Sequence, residues 1–307
     1  MKPVDDFIPR VLDNAELAAV LHEFGNHIES CVDFGSNLIK WITESKALDS
    51  HDIVLITNLR HFLEQIDACS ELVKLSICEP CLVLLRAAFE SLIHAAYILE
   101  SDTEERGKTF LYFRFLEQIK FLDKLDASTS SGKQMLATIG KDEYLSSFQF
   151  NQPQDINAIK LDIATRINSP AYSSIDAEYK RIKQISPNKK LSWYSLFNGA
   201  TSIEGLAEKT KKSGLYEIFY RHSSGFVHGN KIVYEGAGDN CIEQIRKPYN
   251  AQFVCAFSMS LSIMMFKSYV QYYCPNKNDE FLQWFLSVRA FYKMVGNGDI
   301  IKSGDTP

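Results

Sequence analysis

Apolar residues recur along this chain at intervals of three and four, the period of an amphipathic helix. The strict alternation of a half-buried strand is nearly absent. Between residues 14 and 46 one stripe runs through Leu17, Val20, Leu21, Phe24, Ile28, Cys31, Val32, Leu38, Ile39 and Ile42. A second, over residues 52 to 75, uses Leu55, Leu59, Phe62, Leu63, Ile66 and Leu72. Pro80 suits the first turn of a third helix. Its residues 82 to 99 are apolar nearly all round, the pattern of a helix at the centre of a bundle. A fourth helix is expected near residues 103 to 125, with aromatics at Phe110, Tyr112, Phe113, Phe115 and Phe121.

The pattern then loosens. Residues 127 to 190 hold a Ser/Thr/Gly cluster at 128–132 and prolines at 153, 170 and 187, which predicts short helices and loops. Order returns with Thr201-Ser202-Ile203-Glu204, spaced as a capping box. Lys211, Lys212 and Gly214 mark the end of the helix it starts. Further helices are predicted from Leu215 through His228, over residues 248 to 273, and over residues 279 to 295. The expected fold is all-α: a multi-helix bundle with a polar, less regular insertion of short helices in the middle. Its parts are residues 1–126, the insertion 127–190, a second half of the bundle at 191–295, and a disordered tail at 296–307. There is no internal repeat.

Composition adds little to this and excludes some classes. The 307 residues are 46% hydrophobic and 23% charged, with enough apolar material for a large core. A net charge of −5 argues against a protein that coats long duplex nucleic acid, though not against a site for one or two phosphates. One basic stretch stands out: residues 180 to 212 hold eight lysines and arginines against Glu204 and Glu208. It is either a solvated face or a local basic lip. Seven cysteines, an odd number in mostly apolar surroundings, suit reduced thiols in a cytoplasm. Cys78 and Cys81 form a CxxC without a second ligand pair, so buried thiols are favoured over zinc or redox chemistry. Residues 1 to 6 lack the basic-then-apolar pattern of a signal peptide. The apolar run at 251–266 falls short of the roughly 20 residues of a spanning helix and reads as a core helix.

Candidate chemistry concentrates in Arg221-His222-Ser223-Ser224-Gly225-Phe226-Val227-His228. On an ideal helical wheel Leu215, Ile218, Phe219, His222 and Phe226 form a core stripe, while Glu217, Arg221, Ser224 and His228 share another face. An arginine beside a titratable imidazole has the parts for phosphodiester cleavage. Arg221 would hold a phosphate oxygen, His228 would move a proton, and Ser224 and Asn230 would donate hydrogen bonds. The plainer alternative pairs Arg221 with Glu217 at i−4 and has His228 cap the helix. Arg86 and Glu90, at i, i+4 on the most apolar helix, are costly there unless paired or functional. They either fix bundle register or add a second cation to the site. Tyr97, two turns on, is either wall or ligand. His22-Glu23…His27 is one residue too long for a HExxH zinc helix, His51 and His61 lack a carboxylate cluster, and His94 among apolar residues reads as a satisfied core histidine. No metal and no cofactor is expected.

The octapeptide resembles the signature of the HEPN superfamily: Arg, usually a polar residue, then His a few residues later. Arg221, His222 and His228 fit it with six intervening residues. The segments 85–90 and 220–229, with Trp193 to Leu206 before the second, also resemble an uncharacterised bacterial all-helical family with an Arg-x-x-x-Glu helix early and a Tyr-…-Ser-x-x-x-His-Gly helix late, the tyrosine falling on Tyr220. The resemblance implies a helical bundle and a homodimer that brings two Arg/His helices together. It also implies metal-independent RNA cleavage by 2′-hydroxyl attack, with Arg221 and His228 as the functional pair. The role it implies is a cytoplasmic toxin or antiphage-defence effector without a membrane segment, with RNA and an antitoxin or defence protein as partners. The polar position falls on His222, which the wheel puts on the apolar stripe. Many superfamily members only bind, so a non-catalytic module for a nucleotide, RNA or protein, or a structural dimer, stays open.

Overall fold

The computed structural model describes residues 7–8, 14–147, 155–221, 223, 225, 237–238, 241–242 and 244–297. It is all-α, as the periodicity predicts. The helices are α1 (Ala15–Ser45), α2 (Ser50–Lys74), α3 (Glu79–Glu100), α4 (Thr103–Leu125), α5 (Ser130–Ile139), α6 (Ile156–Ile167), α7 (Ser173–Ile185), α8 (Ile203–Lys209), α9 (Ser213–Leu215), α10 (Ala251–Tyr273) and α11 (Asn278–Asn297). A two-residue antiparallel pair, Ala237–Gly238 with Cys241–Ile242, is the strand structure among the described residues.

The chain folds into two compact units. One comprises Met1–Thr103 with Ile203–Pro307, the other Glu104–Ser202. The polarity of the sequence suggested cuts at 126/127 and 190/191. Packing moves both outward, because α4 buries its aromatics within the second unit. There Tyr112 and Phe113 meet Tyr179 at 5.8 and 5.7 Å, and Tyr112 donates to Asp176 at 2.8 Å. Lys160 of α6 ties back to Asp123 and Asp126, both at 2.8 Å. Phe121, on the outer side of α4, is exposed.

In the first unit α10 packs against α1, α2, α3 and α11, and α3 against α2, α8 and the segment after α9. Both α3 and α10 are long and apolar enough to cross a membrane. Each is more than half buried inside the structure, the pattern of a core helix. Starts and stops follow local rules. Asn14 accepts the amides of Glu16 and Leu17, and Asp52 accepts the Asp49 amide at 2.9 Å. Close approach of α1 to α2 depends on glycine: a Cβ at Gly35 would lie 2.4 Å from Leu63 Cδ2. Cys31, Cys69, Cys78, Cys81, Cys255 and Cys274 are free and buried, and burial pushes the Cys78 thiol well up.

Candidate functional site

The helix that carries Arg221 is not the ideal one. After α9 the backbone widens into a π turn over Tyr216–Tyr220, and the Arg221 amide bonds back to the Tyr216 carbonyl, five residues away. A π turn holds one more residue than an α turn, so positions beyond it rotate by about one residue. The core stripe shifts accordingly. Where the wheel placed Ile218 and Phe219 inside, the structure buries Phe219, Tyr220 and Ser223. Ile218 turns out to solvent, 73% exposed. Phe219 packs 4.1 Å from Phe257, ring to ring, and Ser223 donates to the Tyr220 carbonyl at 3.1 Å.

The same shift delivers Tyr220 to α3. Arg86 Nη2 donates to the Tyr220 hydroxyl at 2.9 Å, and that hydroxyl donates to Glu90 Oε1 at 2.7 Å. Arg86 also lies over the Tyr220 ring at 4.2 Å, and its Nε stands 3.7 Å from Glu90. Tyr220 thus completes a pair that sequence spacing had left needing a partner. Burial, then the bond to Glu90, raises its hydroxyl pKa to about 12, so it stays a proton donor at neutral pH. Arg86 Nη1 is buried without a hydrogen-bond partner among the described residues. On its other face Tyr220 stacks with Tyr216, 5.1 Å between centroids and 22° between planes. Arg221 lies over Tyr216 at 5.6 Å. The result is a ladder of cation, ring, ring and cation: Arg86, Tyr220, Tyr216, Arg221. Each layer adds about 0.5–1.5 kcal/mol beyond area burial.

Arg221 sits at the open end with a 57% exposed side chain. It bonds Glu204 of α8 at 3.0 Å and Glu217 at 3.1 Å. The Glu217 contact is the i−4 pair expected from sequence; Glu204 is new, brought in by the fold. His222, Ser224, His228 and Asn230 lie outside the described residues. Tyr97 is buried on α3 at 6% exposure. The basic stretch is divided: residues up to 202 belong to the second unit. There Lys180 and Arg181 pair with Asp176 and Glu178 on α7, the behaviour of a solvated helix face.

Sequence reasoning missed Tyr216, gave Tyr220 only as the opening tyrosine of the late-helix motif, and missed one cluster of possible metal ligands. Asp49, His51 and Asp52 offer atoms within 4.8 Å of one another. The Lys46 ammonium stands 2.8 Å from the Asp52 carboxylate, where a cation would sit, so this donor set is already neutralised from within. Tyr273 donates to the same carboxylate at 2.8 Å. Burial alone would raise the Asp52 pKa; Lys46, the Asp49 amide and Tyr273 hold it below the ordinary value.

A family profile described as a family of unknown function (DUF5677) matches residues 52–236, which spans α2 through the Arg221 segment. No curated protein matches the chain. No solved structure matches it either.

Proposed function

This chain belongs to the DUF5677 family of unknown function, and from that premise we propose that it is a HEPN-like, metal-independent endoribonuclease. The observation that carries the reading is the exposed Arg221 guanidinium at the end of a ladder buttressed from α3 by Arg86 and Glu90 through the Tyr220 hydroxyl. A cation held in a fixed place near solvent can bind a phosphodiester and offset charge in the transition state. His228, seven residues on in sequence, takes the proton of the ribose 2′-hydroxyl or gives one to the leaving oxygen. The products are a 2′,3′-cyclic phosphate and a free 5′-hydroxyl. His222, Ser224 and Asn230 supply polar contacts around the phosphate. The cellular role in this reading is a cytoplasmic toxin or antiphage-defence effector, working as a homodimer and restrained or triggered by a partner protein.

One observation favours a second reading, a helical module that binds RNA or a protein without cleaving. Arg221 is already neutralised by Glu204 and Glu217. A phosphate must displace two carboxylates to reach it, which suits a ligand-gated contact as well as a catalytic one.

Incubation of purified protein with total RNA in EDTA tests the proposal, with wild type beside His228→Ala and Arg221→Ala. The proposal expects fragments ending in 2′,3′-cyclic phosphate from wild type only. RNA retained without cleavage by wild type and His228→Ala, and more weakly by Arg221→Ala, selects the binding module.

A further inference from the structure

A cavity of about 390 Å³ opens in the first unit, between the last turn of α3, the junction of α8 with α9, and the C-terminal turns of α10. Leu99, Glu100, Lys212, Ser268, Gln271 and Tyr272 furnish its walls. The volume falls in the range that encloses small metabolites, about 300–1,000 Å³. The site contains neither Arg221 nor any residue of the ladder.

The position of Lys212 is set by the backbone. Its amide closes α8 on the Ala207 carbonyl at 2.7 Å while Lys211 adopts φ 59°. That left-handed helix end ordinarily takes glycine. A lysine there is strained, and the strain holds the next residue against the cavity. The Lys212 ammonium donates to the Thr210 carbonyl at 3.2 Å, a neutral acceptor. An ammonium carries three donors, so this bond leaves capacity for a ligand. Desolvation lowers its pKa, and the Glu100 charge draws it partly back. A cation half stripped of water gains more from an incoming anion than one on the surface does.

Glu100 is on the same wall set. Its carboxylate repels a ligand that is anionic throughout and favours hydroxyl or amino donors at that end. Tyr272 packs edge-on against Tyr273, 4.7 Å between centroids, and with Leu99 gives an apolar wall. Ser268 and Gln271 add neutral hydrogen-bonding groups from α10. We propose that this cavity binds a small organic anion of up to nucleotide size, with its phosphate or carboxylate on Lys212 and its hydroxyl or amino groups toward Glu100.

The test is chemical and independent of RNA cleavage. Full-length protein is treated briefly with pyridoxal 5′-phosphate, reduced with borohydride, and mapped by peptide mass spectrometry. Lys212 is expected among the labelled lysines, because its partly desolvated amine lines the cavity. Adenosine monophosphate and gluconate are the competitors for the two anion types, and protection of Lys212 by either one identifies the anionic group. Succinate, anionic at both ends, is expected to leave labelling unchanged. Labelling of Lys212 unaffected by both hydroxylated anions, or blocked equally by succinate, overturns the proposal. Wild-type protein carries every arm, so a variant that fails to fold cannot imitate a negative result.

Discussion

Asp52 and Arg221 are each the centre of a cluster of polar contacts in the same unit, and burial makes them opposites. Asp52 is fully buried where α1, α2 and α10 meet, with Lys46, Tyr273 and the Asp49 amide all directed at its carboxylate. Removing one partner of such a cluster strands a charge in low dielectric, which is why it holds three helix ends together. Arg221 has two carboxylates at similar distances, but its side chain is more than half exposed. Water and salt screen those contacts until they are worth little, so they can be exchanged for a ligand at small cost. Equal geometry therefore gives a static tie in one place and a replaceable one in the other. Between them stands Arg86, 18% exposed, held by a tyrosine hydroxyl and ring as much as by its glutamate.

The comparison breaks most visibly at Asp52. Asp52→Ala is expected to cost about 2–3 kcal/mol in denaturant unfolding, since it leaves the Tyr273 hydroxyl without its acceptor while Lys46, 40% exposed, returns to water. The folded pKa of Asp52 lies below its unfolded value near 3.8. Its contribution is therefore fully present above that value and is lost as pH falls through the lowered one. Acid unfolding of wild type should steepen below about pH 4, and the variant should lack that component. If the two acid profiles ran parallel, the cluster would not be the tie described here.

Tyr220→Phe is next. It keeps the ring stack and deletes the hydroxyl that joins Arg86 to Glu90, with an expected loss of about 1–2 kcal/mol. A loss near zero would mean that Arg86 and Glu90 close directly on each other, and the ladder would lose its claim to position anything. Arg221→Ala should change stability least, by about 0.5–1 kcal/mol, because its ion pairs and its contact with the Tyr216 ring are made by a side chain more than half exposed. In filter binding at low salt the same variant should weaken RNA association, with a shallower salt dependence by about one phosphate contact. Glu204→Gln sharpens the contrast from the other side. Freeing Arg221 from one carboxylate should raise RNA affinity a few-fold, and an unchanged affinity would remove Glu204 from the site.

The legibility of the sequence tracks how local each cause is. Asn14 and Pro80 set helix starts within a turn, and those starts were readable, as was the presence of a helix, α8, beginning at Ile203. The all-round apolar α3 and the run at 251–266 announced core helices, which α3 and α10 are. The wheel failed at Ile218 because one extra residue in a turn leaves no mark on hydrophobic spacing short enough to count. The π turn exists because Phe219 and Tyr220 both find buried partners, Phe257 on α10 and Arg86 with Glu90 on α3. Arg86 and Glu90 were visible as two charges in need of company, but not which residue, 130 positions on, would provide it.

The sequence by itself determined the helices, their caps, the all-α class and the candidates Arg221, Arg86 and Glu90, because each depends on neighbours within a turn or two. Only the tertiary structure decided that Tyr220 links the arginine helices, that Glu204 guards Arg221, that Lys46 neutralises Asp52 and that Lys212 faces a cavity. Those depend on which distant faces come together. That choice belongs to the packing of whole helices, and no local period encodes it.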